Sequence, residues 1–370
     1  MIASPLEADI AQTAPQLIRL LGGFPSFRYS HGVDRPKSRL GLEDVARRAG
    51  VGLATVDRVL NERGSVSAAT ERRVIEAARA LGLRRVLPVP HARQVRIEVM
   101  LAQSVTPFMV RLTQAMAQVA ATLDRSIVVL RSSIDMRDPA NVASRIAGSR
   151  ADGIIVYCEE HPANVAAIAA VTKAGRSVIC VVTDVPESPR VAYVGIDHAK
   201  AGRTAAFFVA RMGRRSAGVA LTLSTSTGFR AHKQRIDGFR EALAVHRPSV
   251  AVAPVMTSGD DPERAYHLLA QALRQTPDAV AVYNTGGANT AVAHAIRDAG
   301  RAGEVLFVGH ELTDETTALL QSGAMTVAID QAPELQARRA IDLMLGRLGI
   351  TPVEAMVGEI AFTLHTAENC

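Results

Sequence analysis

The chain has 370 residues, enough for two or three domains with sizeable cores. Hydrophobic residues make up 48% and charged residues 21%, which excludes a disordered or collagen-like chain. The formal charge of +6 is confined to one end: the first 93 residues hold 15 Lys/Arg against 9 Asp/Glu, and the rest hold 27 of each. A small basic module on a neutral body is expected, with a polyanion as its partner.

Three cysteines, Cys158, Cys180 and Cys370, are too few and too widely spaced for a disulfide framework or a zinc site. No metal or cofactor is expected, and a reducing cytoplasm is the simplest compartment. No apolar run is long enough for a membrane span. The start, MIASPLEADIAQTAPQLIRLLGG, carries Glu7 and Asp9 where a signal peptide wants basic residues, so none is read. Residues 1–37 are expected to be an N-terminal extension, either a disordered tail or a weak amphipathic helix.

From Leu42 the spacing changes. Leu42, Val45, Ala46 and Ala49 fall on one helical face, and Gly50 stands where that helix would stop. Val56, Val59 and Leu60 mark a second short helix. Ser67 is placed to cap a third, whose apolar positions are Val74, Ile75, Ala78 and Leu81. Three short helices with a tight turn between the first two predict a helix-turn-helix or a plain three-helix bundle.

The strings DVARRAGV, TVDRVLN and VSAAT, in this order and spacing, decide between them. Over Leu40–Leu83 the chain resembles the DNA-binding headpiece of the LacI/GalR family of bacterial regulators. The resemblance implies a DNA-binding domain over 38–83 whose second helix enters the major groove. It puts base-reading positions at Leu53, Ala54 and Arg58, of which only Arg58 has a strong donor fork. Phosphate-contacting or capping positions fall on Gly41, Gly52, Thr55, Asn61 and Thr70. Gly41 and Gly52 replace hydroxyl residues, and Asp57 replaces a serine. A carboxylate facing phosphates would be repelled. Asp57 is therefore expected to pair with Arg58 or Arg63 and aim that arginine, against the alternatives of accepting from a cytosine or facing away.

Residues 84–94 read as a linker. The resemblance implies a hinge helix here that wedges a leucine into the minor groove. Pro88 and Pro90 disfavour the helix, and Leu87 is a weak wedge candidate. Arg84, Arg85 and Arg93 are expected to touch phosphates.

From Val95 strand and helix patterns alternate in two series, the second starting near Ala199. This predicts an α/β body of two doubly wound parallel sheets, with ligand where loops leave the carboxyl ends of the strands. No GxGxxG follows a strand and no GxxxxGK[ST] occurs, so a nucleotide enzyme is unsupported.

TPFM, VVTD, VGIDHAKAGRTAA, KQRIDGF, VYNTGGA, VGHE and AIDQAPELQARRA resemble the type I periplasmic-binding-protein fold. That fold is the effector domain of the same family. The resemblance implies an effector domain over 95–366. Its first lobe would span 95–196 and 332–349, and its second 197–331 and 350–366. It places ligand contacts at Phe108, Asp184, Arg235, Asn284, Glu311 and Gln331. Phe108 would pack on a sugar ring and the others would meet hydroxyls. Each has a plainer alternative: core for Phe108, a solvated strand-end acid for Asp184, a surface arginine for Arg235. His310 and Glu311 depart from the family pattern. His232 and His310 are expected to be satisfied polar residues, and Asp260–Asp261 a turn before Pro262.

These readings predict a transcriptional regulator, most simply a repressor of sugar or polyol genes. It is expected to bind near-palindromic operator DNA as a homodimer on the bacterial nucleoid. The effector is expected to be a small neutral sugar or polyol. Two acids, Asp184 and Glu311, against Arg235 disfavour a phosphate. The alternatives are a transport-type sugar-binding protein and a sugar-acting enzyme. No nucleophile and base stand at a recognisable spacing, so catalysis is not expected.

Overall fold

The computed structural model describes residues 41–61, 66–83, 94–103, 106–136, 138–351 and 360–370. The expectations for residues 1–37, for Arg63 and for Arg84, Arg85, Leu87, Pro88, Pro90 and Arg93 lie outside the described residues. The chain divides into two units, 1–91 and 92–370, each with its own core.

The first unit holds three helices: α1 (Leu42–Ala49), α2 (Leu53–Leu60) and α3 (Ala68–Ala80). Gly50 ends α1 in the left-handed region, at φ 66°, and so turns the chain into α2. Gly41 cannot cap α1 with a side chain. Asp44 instead accepts from the Gly41 N–H at 3.0 Å. Ser67 caps α3, accepting from the Thr70 N–H. Val45, Val56, Val59, Leu60, Val74, Ile75 and Ala78 form the small core. Each lies on the inner face of its helix.

The second unit opens with β1 (Val95–Ala102), α4 (Pro107–Ala121), β2 (Ile127–Ile134), α5 (Pro139–Gly148), β3 (Gly153–Val156), α6 (Pro162–Lys173), β4 (Ser177–Val181) and β5 (Ala192–Val194). It continues with α7 (His198–Met212), β6 (Gly218–Ser224), α8 (Arg230–His246), β7 (Val250–Val252), β8 (Met256–Thr257), α9 (Pro262–Gln275), β9 (Ala279–Asn284), α10 (Asn289–Asp298), β10 (Leu306–His310), α11 (Asp314–Gln321), β11 (Val327–Asp330), α12 (Pro333–Arg347) and β12 (Thr363–His365).

The first sheet has the order β2-β1-β3-β4-β5 and is parallel throughout. The second has the order β12-β11-β10-β9-β6-β7, with β8 beside β6 and β12 alone antiparallel. Strands β3 and β9 are buried at every position, as strands covered by helices on both faces must be. The chain crosses from the first sheet to the second between β5 and α7. After β11 it returns, and α12 packs on α4. It reaches the second sheet again at β12.

Side-chain caps fix where several helices begin. Asp138, Asp197, Asp261 and Thr313 each accept from a backbone N–H in the first turn of the helix that follows. Such a cap is worth about 1 kcal/mol. Two glycines bring α7 and α8 into backbone contact. A Cβ on Gly202 would stand 2.0 Å from the Arg235 carbonyl, and one on Gly238 would stand 2.3 Å from that of Ala199. Only glycine permits this approach, which sets His198 and Arg235 side by side.

Candidate functional site

In the first unit, α2 presents two faces. Val56, Val59 and Leu60 are buried, while Leu53, Ala54 and Arg58 are exposed, Leu53 by 46%. The three residues expected to read bases thus share the solvent side of one short helix, and Thr55 is half-buried beside them. An exposed leucine beside an arginine on a helix about as wide as the major groove suits contact with base edges. The Asn61 amide donates to Asp57 Oδ1 at 2.6 Å, one turn back. This bond engages both side chains; of the two arginines expected beside Asp57, Arg63 lies outside the described residues. Thr70 is likewise engaged, its hydroxyl 2.9 Å from that of Ser67.

In the second unit, the strand ends of both lobes enclose a cleft of about 810 Å³ including its open mouth. Among the described residues, every non-glycine with positive φ lies at this cleft or next to it. Val182 (φ 67°), Asp260 (61°), Ala288 (60°) and Glu311 (73°) line it, and Ala332 (53°) follows the lining residue Gln331. A β-branched valine in this region is costly, and such strain gathers where the surroundings fix a geometry that a site requires.

Arg235 projects into the cleft from α8 and is only 3% exposed. Its Nε–H donates to His198 Nδ1 at 3.1 Å and its Nη1 to the Thr285 carbonyl at 2.7 Å. Nη2 is uncommitted among the described residues. Burial lowers the Arg235 pKa, and no carboxylate is bonded to it. A buried guanidinium with donors to spare calls for a ligand acceptor.

Opposite in character is the corner made by Glu311 and Gln331. The Gln331 amide donates to Glu311 Oε1, while Glu311 Oε2 and Gln331 Oε1 are buried without a partner. His310 Nε2 meets the Tyr283 hydroxyl at 2.9 Å, and its Nδ1 is unpartnered. Burial, reinforced by Asp330 and opposed by Arg235, pushes the Glu311 carboxyl up to about 8. Burial and then Arg235 hold His310 well below the usual histidine range and bring His232 down to about 3. Both imidazoles are therefore neutral.

Phe108, Arg235, Glu311 and Gln331 come together in the cleft lining. Asp184 and Asn284 do not. Asp184 is bound by Arg190 through both carboxylate oxygens and accepts from the Val185 N–H, so its acceptors are spent beside the cleft. Asn284 lies one layer behind the wall. Its amide donates to the Gly287 carbonyl at 2.7 Å and to Asn289 Oδ1 at 2.9 Å, and its oxygen accepts from the Gly286 N–H. It shapes the Gly286–Gly287 turn that lines the cleft.

The sequence reading missed Asp260, which is more than a turn residue. Asp261 caps α9, whereas Asp260 lines the cleft. Its Oδ1 accepts from the Thr225 hydroxyl at 2.5 Å and the Gly287 N–H at 3.3 Å, and Oδ2 is uncommitted among the described residues. The position just after β8, a strand end, was the available signal. Among the described residues, the lining thus sets Arg235 against three acidic side chains, Asp260, Glu311 and Glu315, of which Glu311 is held protonated by burial.

The lobes touch on both sides of the cleft. On one side Arg111 of α4 donates to the Leu312 carbonyl at 2.7 Å, to Asp330 at 2.6 Å and to Glu334 with two nitrogens. On the other Arg230 pairs with Glu160 at 3.1 Å, and Thr183 Oγ1 accepts from the Ala231 N–H. Tyr157 stacks on Phe229 with ring centroids 4.8 Å apart. Among the described residues no helix is long and apolar enough to cross a membrane, and no His/Cys/Asp/Glu cluster could hold a metal ion.

Comparison with known proteins agrees with this two-part geometry. Residues 41–85 match the family model described as bacterial regulatory proteins, lacI family, and residues 97–349 match that of the periplasmic binding protein domain. The HTH-type transcriptional repressor PurR of Pectobacterium atrosepticum is 26% identical over 338 residues, covering 87% of this chain and 94% of its own. The sucrose operon repressor of Escherichia coli is 36% identical over 124 residues, 31% of this chain and 36% of its own. The crystal structure of GanP, a glucose-galactose binding protein from Geobacillus stearothermophilus, superposes with a TM-score of 0.68. It is 19% identical and covers 75% of this chain and 99% of its own, which is a likeness of fold.

Proposed function

The chain belongs to the lacI family of bacterial regulatory proteins, and from that premise we propose that it represses sugar or polyol genes, its operator affinity set by a small hydroxylated effector. That the protein is a ligand-responsive transcriptional repressor follows from its family and from repressors that align along most of its length. The effector class is our reading. The observation that carries it is the cleft's unsatisfied polar set: Arg235 Nη2 asks for an acceptor, while Glu311 Oε2 and Gln331 Oε1 ask for donors. Hydroxyls are both donor and acceptor and meet both demands. A buried polar atom left without a partner costs about 1–3 kcal/mol, so an occupant that pairs these atoms is strongly selected over one that does not. With three acids to one arginine in the lining, a phosphorylated ligand is disfavoured.

The mechanism is a population shift. The ligand binds the arrangement with closed lobes better than the open one and biases the lobes toward it. A homodimer would convert that bias into a change in the spacing of its two reading helices on a near-palindromic site. No step of this reading involves catalysis; the relatives it draws on are repressors and a sugar-binding protein.

A thermal-shift screen of the full chain against pentoses, hexoses, cyclic polyols and their phosphates tests the effector class. Stabilisation by an unphosphorylated member is the expected result. If only phosphorylated members stabilise the chain, the effector class is wrong.

A further inference from the structure

We infer that the effector carries a basic nitrogen on its hydroxylated frame, seated against Glu311 and Gln331 with Asp260 in the same cleft. The inference rests on the cleft being the effector site and narrows the neutral ligand expected from the sequence. Three observations carry it.

The first is the pairing of unsatisfied atoms. Gln331 spends its amide N–H on Glu311 Oε1, which joins the two side chains. The oxygens left over, Glu311 Oε2 and Gln331 Oε1, are both buried and unpartnered, and both are acceptors once the carboxyl ionises. One hydroxyl donates one proton and satisfies one of them. A protonated amine donates up to three from a single atom and can satisfy both.

The second is charge. Glu311 has no bonded cation. Arg111, the arginine nearest in the fold to Asp330, is committed to Asp330, Glu334 and the Leu312 carbonyl. Arg235 is committed to His198 and Thr285 and acts on Glu311 only through space. With no cation beside it the buried carboxyl holds its proton in the folded chain, and neighbouring hydroxyls would leave it neutral. An ammonium would displace that proton and pair with the carboxylate, adding charge to the hydrogen bonds.

The third is Asp260. Thr225 and Gly287 hold one of its oxygens, and the other is uncommitted among the described residues. Its left-handed backbone, φ 61°, keeps a second carboxylate in the cleft. His232 and His310, the two imidazoles of the wall, are neutral and add no positive charge, and Glu315 adds a further acid to the lining.

Matched pairs test this: D-glucosamine with D-glucose, D-galactosamine with D-galactose, and 1-deoxynojirimycin with 1,5-anhydro-D-glucitol. Each is titrated into the full chain by calorimetry at neutral pH, with D-glucose 6-phosphate alongside. A charge-assisted bond exceeds a neutral one by enough to give about tenfold in affinity. In at least one pair the amine should bind about tenfold tighter than its neutral partner. Glu311→Gln should erase that advantage, read as the ratio of amine to neutral affinity in each pair, and Asp260→Asn should reduce it. Circular dichroism of both variants establishes that they fold. Equal or tighter binding of the neutral member in every pair would overturn the inference and leave the effector class standing. Binding of the phosphate alone would overturn both. Failure of every amine to bind would also overturn the inference.

Discussion

Arg235 and His198 are joined by a hydrogen bond of 3.1 Å in which the guanidinium Nε–H donates to the imidazole Nδ1. Because Nδ1 accepts, the imidazole proton sits on Nε2, which donates to the Val182 carbonyl at 2.6 Å. Burial and the charge of Arg235 hold His198 well below the usual histidine range, in keeping with a neutral ring. Val182 follows the last residue of β4 in the first lobe, whereas His198 and Arg235 stand on α7 and α8 in the second. The Tyr193 hydroxyl completes the knot, within 3.1 Å of the Val182 and Ile196 carbonyls. A residue of the ligand cleft is thus tied, through one imidazole, to the crossover between lobes.

His198→Phe keeps a ring but removes both bonds and leaves Arg235 Nε unpaired. It should cost about 1–3 kcal/mol of stability in urea denaturation. Amide exchange of residues 194–201 should speed up relative to the rest of the body. Unchanged exchange there would show that the imidazole does not hold the crossover.

Glu311 gives a pH signature. An acid whose pKa rises on folding, here from 4.5 to about 8, keeps its proton in the folded chain after the unfolded chain has lost it. Stability therefore falls as pH rises between those values and levels off above them. His198, His232 and His310 have lowered pKa values and act oppositely, destabilising the fold as pH drops below 6.5. They are common to both proteins and cancel in a difference. Glu311→Gln should gain in Tm over the parent chain progressively from about pH 5 to about pH 8. A difference that does not vary with pH would refute the burial of an unpaired carboxyl.

On the reading helix, Arg58→Ala should cost about 1–3 kcal/mol and relax preference at one base pair. Asp57→Ser removes a negative charge and releases Asn61. It should raise affinity and steepen the salt dependence without altering the preferred sequence. Selection from random duplexes checks this; a changed preference at one position would mean that Asp57 itself touches a base.

Arg230→Ala removes the Glu160 pair that closes one side of the cleft. Small-angle scattering of a chain lacking residues 1–91 should show a larger radius of gyration in the variant than in the parent. Identical profiles would mean that the pair does not hold the lobes together.

Much of the fold was legible because its signals are local. Helical spacing and Ser67 gave the first unit, and alternating strand and helix patterns gave the parallel sheets. The cleft was legible at Phe108, Arg235, Glu311 and Gln331 through resemblance and strand-end position. It was not legible where a partner distant in sequence decides. Asp184 is withdrawn by Arg190 and Asn284 by Asn289, and neither pairing leaves a pattern in spacing. Asp260 was hidden for a different reason: a DDP string reads as a helix start, and only the fold reveals that one aspartate caps while the other faces the cleft. At Asp57 the nearby arginines drew attention away from Asn61, an uncharged partner one turn on.

Cleft occupancy should change operator affinity. Fluorescence anisotropy reads this with a labelled duplex that the full chain has itself selected from a random pool. The titration is repeated with a saturating amount of the compound that most stabilises the chain. A shift of about 5–150-fold in operator affinity is expected. Arg235→Ala should bind the duplex as the parent does without compound and should show no shift with it. An operator affinity that stays the same in the presence of the saturating compound would mean that the cleft does not control DNA binding.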